Sequence, residues 1–464
     1  MRRYIVALVA AVVLGGLTAA AAAVKPVKIT DPKDQQILAT FLKYAEETPR
    51  VISPEFCKKQ AASDTDEGEP VFWVITPYLH MPLTAYQLTG DPKYLAAFVQ
   101  AFENLRSAMT KGPDGYWGWY GKAGEYRDPN DPDRLSDATL TSFGVSEVIC
   151  DFISLIDKDP KLKQQYAGQR AAYLDLAVNH LVRKHTVRGD YVDLGKTGAI
   201  YRSPARGLMP TQARLTAPNN KNAIILHGLL AMYRVTGNDD YMRKAIKLGV
   251  RFKHSLTLKN GHYEWNYWNP AGEWDVRPDD PSRWKHWIGT EHRGGYYSLS
   301  TSQAVALYEY GLVFDKADME RFLKTQLEEC WNGDLEHPVW SHVDGTRPPQ
   351  YTEYEYIADS LAPFSAKVAA YFSQPSRQDG LIREGKDDWN GGVQAAGYLA
   401  GKYLGNPAAQ GWRQTELSYG KRFLSKKANR DFVKALEFTV TPPGYTAPMT
   451  PQDMQNMPRE PERP

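Results

Sequence analysis

One ten-residue pattern occurs twice, and it constrains the fold more than anything else in the chain. Ala85-Tyr86-Gln87-Leu88-Thr89-Gly90-Asp91-Pro92-Lys93-Tyr94 is matched by Met232-Tyr233-Arg234-Val235-Thr236-Gly237-Asn238-Asp239-Asp240-Tyr241. Each copy ends a helical apolar pattern on Thr-Gly, turns with Asp or Asn, and restarts a helix that carries a Tyr. The segments downstream match as well. Asp114-Gly115-Tyr116-Trp117-Gly118-Trp119-Tyr120 corresponds to Asn260-Gly261-His262-Tyr263-Glu264-Trp265-Asn266-Tyr267. A looser third copy runs from Ala306-Leu307-Tyr308-Glu309-Tyr310-Gly311 to Cys330-Trp331-Asn332-Gly333. The unit is a helical hairpin followed by an aromatic loop. A lone hairpin cannot bury its apolar face, so such units must stack.

Three- and four-residue apolar spacing predicts helices over 34–47, 72–88, 92–109, 137–157, 161–184, 220–236, 239–256, 296–313, 316–330, 354–373, 390–404 and 425–436. Strand-like alternation is scarce, which excludes a sheet as the main architecture. At 464 residues with 42% hydrophobic content the chain has enough apolar matter for a large core. Its 56 Lys and Arg nearly balance 54 Asp and Glu, so the charge pattern of a nucleic-acid binder is missing. What stands out is the excess of rings: 12 Trp, 28 Tyr and 15 Phe, a choice between core and sugar platform that composition leaves open.

Both ends read differently from the middle. Met1, Arg2 and Arg3 precede an apolar run over 4–17, then Thr18 and alanines over 19–23, with an A-x-A site at 21–23. This is the pattern of a cleaved signal peptide over 1–23; the run is short for a full membrane span. The expectation is a periplasmic or secreted protein with no stable membrane association after cleavage, and no further bilayer-spanning segment is expected. Residues 24–440 form the helical domain. Residues 441–464, rich in Pro, Met and Gln, are expected to be disordered. Cys57, Cys150 and Cys330 are widely spaced and form no disulfide framework; either one bridge with a free thiol or three buried thiols would fit.

The repeated T-G-[DN]-x-x-Y turn with a Gly-Tyr-x-Trp-like loop after the second helix resembles the (α/α)-toroid proteins of carbohydrate metabolism. Among these it looks most like the polysaccharide lyases of the alginate or glucuronan lyase kind, which act on uronic-acid polymers. The resemblance implies an all-α fold, an (α/α)6 or (α/α)7 toroid, and an acidic polysaccharide or oligosaccharide as substrate. It also implies that alternate helices share one direction and gather their N-termini at one mouth of the ring.

Several polar clusters fall at such N-termini. Asn219, Asn220, Lys221 and Asn222 open one helix. The stretch around Trp284, His286, Trp287, His292, Arg293, Tyr296 and Tyr297 opens another, after a loop that also holds Trp265, Trp268 and Trp274. Long ordered loops of this composition are commonly functional, the alternative being a packed cap. Removing the C5 proton of a uronate builds charge on its carboxyl group, which donors must neutralise. A base takes the proton and an acid supplies one to the departing oxygen; Tyr and His suit both tasks. The resemblance implies an Asn–His–Arg–Tyr set. The matching candidates are Asn219 or Asn220, His286 or His292, Arg293, and Tyr296 or Tyr297, with Asn220, His292, Arg293 and Tyr297 preferred. Trp265, Trp268, Trp284, Trp287, Trp117, Arg206, Arg214, Lys221 and Asn222 are candidate substrate contacts. With Arg202 they make the mouth locally basic.

Each candidate also has an ordinary structural role open to it. Asn is a common helix cap, Tyr a common half-buried core ring, and Gly294-Gly295 a common turn. No H-E-x-x-H or related spacing occurs, so no catalytic metal or other cofactor is expected. The rival reading is a glycoside hydrolase using two carboxylates from Asp137, Glu291, Glu353, Glu355, Asp387 and Asp388. A non-catalytic carbohydrate-binding protein is the third.

Overall fold

A computed structural model describes residues 24–62, 68–112, 114–120, 127–128, 131–135, 137–203, 214–277, 280, 283–286, 288–291, 293–347, 354–382, 389–404, 412–438 and 440. The expected signal segment over 1–23 and the expected disordered tail over 441–464 lie outside them. The described chain is mostly helical, with strands confined to short two-stranded hairpins.

The first helices are α1 (Pro32–Val51), α2 (Pro54–Ala61), α3 (Thr76–Thr89) and α4 (Lys93–Arg106). A π-helical turn, Val71–Ile75, leads into α3. Helix α5 (Thr139–Ile156) is followed by the short helices α6 (Pro160–Gln165), α7 (Ala167–Asp175) and α8 (Arg183–Val187), with a π turn at Leu176–Val182. Then come α9 (Asn219–Thr236), α10 (Asp239–Ser255), α11 (Gly294–Glu309) and α12 (Lys316–Lys324). The last are α13 (Ala366–Phe372), α14 (Pro375–Ile382), α15 (Trp389–Leu399), α16 (Trp412–Ser425) and α17 (Lys427–Lys434).

The repeated turn has the same construction in both copies. Gly90 and Gly237 take φ of 70° and 68°, and each donates its N–H back into the helix it ends, to Tyr86 and Tyr233. The threonine hydroxyls donate to Ala85 O and Met232 O, both at 2.7 Å. Asp91 and Asn238 then accept from the N–H two residues on, at 3.0 and 3.1 Å. Tyr94 and Tyr241 are buried in the partner helix. Downstream, Thr110–Lys111 pairs with Trp117–Gly118, and Thr257–Lys259 with His262–Glu264. In the third copy the equivalent is a single bridge between Trp331 and Trp340.

Successive hairpins pack in two rows. Helices α15, α3, α5, α9 and α11 lie side by side in that order, and α1, α4 and α10 back them. Because row members alternate along the chain and each hairpin reverses direction, α3, α5, α9 and α11 run the same way. Polar groups link neighbours along their partly open faces. Arg234 pairs with Asp151 at 2.6 Å, His80 Nδ1 lies 3.9 Å from the same carboxylate, and His227 meets Ser302 Oγ at 2.9 Å.

The structure corrects several expectations. The helix expected over 161–184 is broken into pieces. The one expected over 354–373 starts extended, passes through a 3-10 turn at Asp359–Phe364 containing Pro363, and becomes α-helical after Ser365 caps Val368. Helices α2, α14 and α16 were not anticipated; Ser53 caps α2 and Pro54 sits at its first position, a start signal on a stretch too short for periodicity to show. Helix α5 is long and apolar enough to cross a membrane, but 83% of it is buried inside the protein. All three cysteines are free and buried.

The turn makes a stability prediction. A Cβ at Gly237 meets nothing within 4 Å, whereas at Gly90 it comes to 2.9 Å of Val24 O. Gly237→Ala should therefore cost about 1–2 kcal/mol from the left-handed backbone alone, and Gly90→Ala measurably more. Urea unfolding of the two variants checks the order; equal losses would show that Val24 moves aside freely.

Candidate functional site

The N-termini of α5, α9 and α11 open on one mouth. Asn219 N–H donates to Tyr267 O at 3.1 Å, and Tyr267 N–H donates to Gly289 O at 2.8 Å, which holds the long aromatic loop against the start of α9. Tyr267 stacks on Tyr296 with centroids 5.5 Å apart, and His286 lies edge-on to both Tyr267 and Trp268 at 6.0 and 5.4 Å. The Arg293 guanidinium sits over the rings of Tyr296 and Tyr354 at 5.6 and 5.8 Å. Lys221 pairs with Glu69 from the segment before α3.

The mouth thus gathers Asn220, Lys221, Tyr267, His286, Arg293 and Tyr296. Arg293 is exposed, and His286 and Tyr296 are half-buried. Asn220 is 1% exposed, and neither of its amide atoms has a hydrogen-bond partner among the described residues. Such an amide is costly unless something else uses it. Burial, reinforced by the Lys221 charge, pulls the His286 pKa below its usual value, so the ring is neutral at pH 7. Burial pushes the Tyr267 phenol well up, with Tyr296, Glu291 and Glu69 adding to the shift and Arg293 opposing it.

Several expected site residues lie elsewhere. Tyr297 is fully buried, stacks on Trp265 at 5.6 Å, and donates to Gln326 Oε1 at 3.0 Å. It is a core ring, because one residue along a helix rotates a side chain by about 100°. Trp265 and Trp268 are buried as well, their indole N–H groups donating to Glu291 Oε2 at 2.8 Å and Thr216 O at 2.7 Å. Asn219 donates to Asn266 O at 2.9 Å. Asn222 accepts from Tyr201 N–H at 3.1 Å and donates to Ala217 O at 2.7 Å. These two amides hold loops and are not open to a ligand. Arg214 is buried, and Arg202 is buried with its guanidinium 5.5 Å from the Trp274 ring. Of the cations expected there, Lys221 is paired with Glu69, and Arg202 and Arg214 are buried. Trp284 is half-buried; Trp117, exposed on the first hairpin loop, stays a candidate, since its carbonyl accepts from Lys184 Nζ at 3.1 Å beside Asp137, just ahead of α5. His292, Trp287 and Arg206 lie outside the described residues.

Gly294 has a packing reason. A Cβ there would fall 1.7 Å from Glu355 O, so the chain at 354–356 passes against the start of α11 only because this residue is glycine; Gly295 meets nothing within 4 Å. Among the described residues, the carboxylates of the hydrolase reading are each engaged separately. Asp137 is buried between Lys184 and Arg188. Glu291 is buried under Trp265 and Ser300. Glu355 pairs with Arg377. Glu353, Asp387 and Asp388 lie outside the described residues.

Sequence reasoning missed Glu69, Phe72, Trp73 and Tyr267. The first three precede or begin an expected helix and carry no motif; Tyr267 was noted only as part of the repeat. No family model matches the sequence, and no curated protein matches it.

Glu291 yields a pH prediction. Burial raises its carboxyl to about 8 despite the bonds from Trp265 and Ser300. The folded state therefore holds a proton that the unfolded state gives up near pH 4.5, so stability is full below that value and falls as pH rises towards 8. Glu291→Gln should remove this loss, which is on the order of a few kcal/mol. Thermal melts of both proteins from pH 5 to 9 test it; parallel profiles would mean that Glu291 is ionised in the folded protein.

Proposed function

We propose that this protein is a lyase that cleaves a uronic-acid-containing polysaccharide by β-elimination, on an (α/α) toroid formed by closure of the two helical rows. The observation that carries the reading is the unpartnered Asn220 amide at the start of α9, in the same mouth as Arg293, Tyr296 and a neutral His286. A uronate carboxylate accepts from the Asn220 amide and from Arg293, which favours the charge that develops there as the C5 proton leaves.

His286 or Tyr296 takes the C5 proton. The electron pair forms the C4–C5 double bond, the C4–O bond breaks, and Tyr296 protonates the departing glycosidic oxygen. Tyr296 replaces Tyr297 in this assignment because only Tyr296 reaches the mouth. The burial of Asp137 and Glu291 argues against the hydrolase reading.

The test is direct. Incubation with alginate or glucuronan should raise ultraviolet absorbance from unsaturated uronate ends. Tyr296→Phe and Arg293→Ala should each lower the rate at least 100-fold, whereas Tyr297→Phe should keep most of it and lose about 1 kcal/mol of stability with its bond to Gln326. New reducing ends without the absorbance rise would mean hydrolysis. Binding without product would leave a carbohydrate-binding protein.

A further inference from the structure

The segment before α3 is fastened from two sides. Gly68, at φ 80°, accepts from Thr141 Oγ1 at 3.1 Å through its carbonyl, and a Cβ at Gly68 would fall 2.2 Å from Trp119 O. Its carbonyl also accepts Val71 N–H at 3.1 Å. Glu69 then reaches across the mouth: one carboxylate oxygen pairs with Lys221 in the first turn of α9, and the other accepts the Trp73 indole N–H at 3.1 Å. Phe72 meets Trp73 edge-on at 4.9 Å and 77°, and packs with Leu140, Ile224 and Leu299 from α5, α9 and α11. Trp73 is 37% exposed, unlike Trp265 and Trp268 in the long loop.

An exposed indole is ordinarily a mobile ring. This one is held at its N–H by a carboxylate and on one side by an aromatic edge, so little rotamer entropy remains to be lost on binding. Its remaining surface faces solvent beside Lys221. The C–H faces of pyranose rings stack on such surfaces, and the ring hydroxyls suit an adjacent carboxylate as donors. Lys221 balances the Glu69 charge, so the arrangement does not repel an acidic chain.

We propose that Trp73 is a stacking platform for one sugar ring of the polymer, with Glu69 as the positioning residue that orients the indole and accepts from that ring's hydroxyls. This rests on the reading that the mouth takes a saccharide, and it places a subsite on the segment before α3 instead of in the long aromatic loop.

Trp73→Ala, Trp73→Phe and Glu69→Gln are compared with the wild-type protein for binding to alginate, to glucuronan and to neutral dextran, by affinity electrophoresis and tryptophan fluorescence. Melting temperatures confirm that each variant folds. Trp73→Ala should weaken polyuronate binding about tenfold and abolish the fluorescence change, Trp73→Phe should recover part of the affinity, and Glu69→Gln should fall between. Unchanged affinity in a folded Trp73→Ala protein that still cleaves polymer overturns the platform and spares the lyase. Dextran bound through Trp73, with no polyuronate cleaved, upholds the platform and overturns the lyase. If the wild-type protein binds none of the three, both fall.

Discussion

The left-handed glycine that ends a helix is the constraint on which this architecture depends. Gly90 and Gly237 reverse the chain within three residues, and the Thr and Asx bonds around them fix the angle at which the next helix leaves. Each helix of the hairpin then lies against its partner, and the next unit starts from the same side as the last. The shared direction of α3, α5, α9 and α11 follows from this alternation. The N-terminal N–H groups of α5, α9 and α11, which lack partners within the helix, face one mouth. A group of helix starts that favours negative charge is therefore a product of the repeat itself, before any special side chain is added.

What surrounds that mouth is mostly support. The aromatic loop after α10 spends its large rings on holding itself in place: Trp265 on Glu291 and Tyr297, Trp268 on Thr216, and Trp274 on the Thr216 hydroxyl at 3.0 Å. Asp275 accepts from Thr216 and from the backbone of Ala271 and Gly272, closing the same loop from beneath. A scaffold this dense keeps Tyr267, His286 and Tyr296 in fixed relation, as positioned acid–base groups require.

The helices and the repeated turn were legible because their signals are local. A Thr-Gly pair after an apolar period needs no tertiary information to be read as a helix end. The distinction between Tyr296 and Tyr297 was not legible, because α11 carries apolar residues on more than one face and offers no stripe to set the register. The Trp-rich loop misled for a related reason. An indole serves a core or a groove equally well, and the partners that decide between them, Thr216 and Glu291, sit far away in sequence. The Glu69–Lys221 pair spans 152 residues and has no local trace at all.

The near-zero net charge takes on a different meaning once the pairs are placed. Several cations are used inside the protein: Lys184 and Arg188 on Asp137, Arg234 on Asp151, Lys253 on Asp318, and Lys221 on Glu69. With a net charge of only +2, the chain offers a weak long-range field, and on the proposed function an acidic chain would be held by contact at short range. Such binding depends on ring stacking and on hydrogen bonds aimed at individual hydroxyls and carboxylates. It tolerates salt better than a basic groove does, and it discriminates between polymers by the shape of the sugar more than by its charge. The half-buried and exposed groups at the mouth, Trp73, Tyr296 and Arg293, are of the kind that such recognition needs.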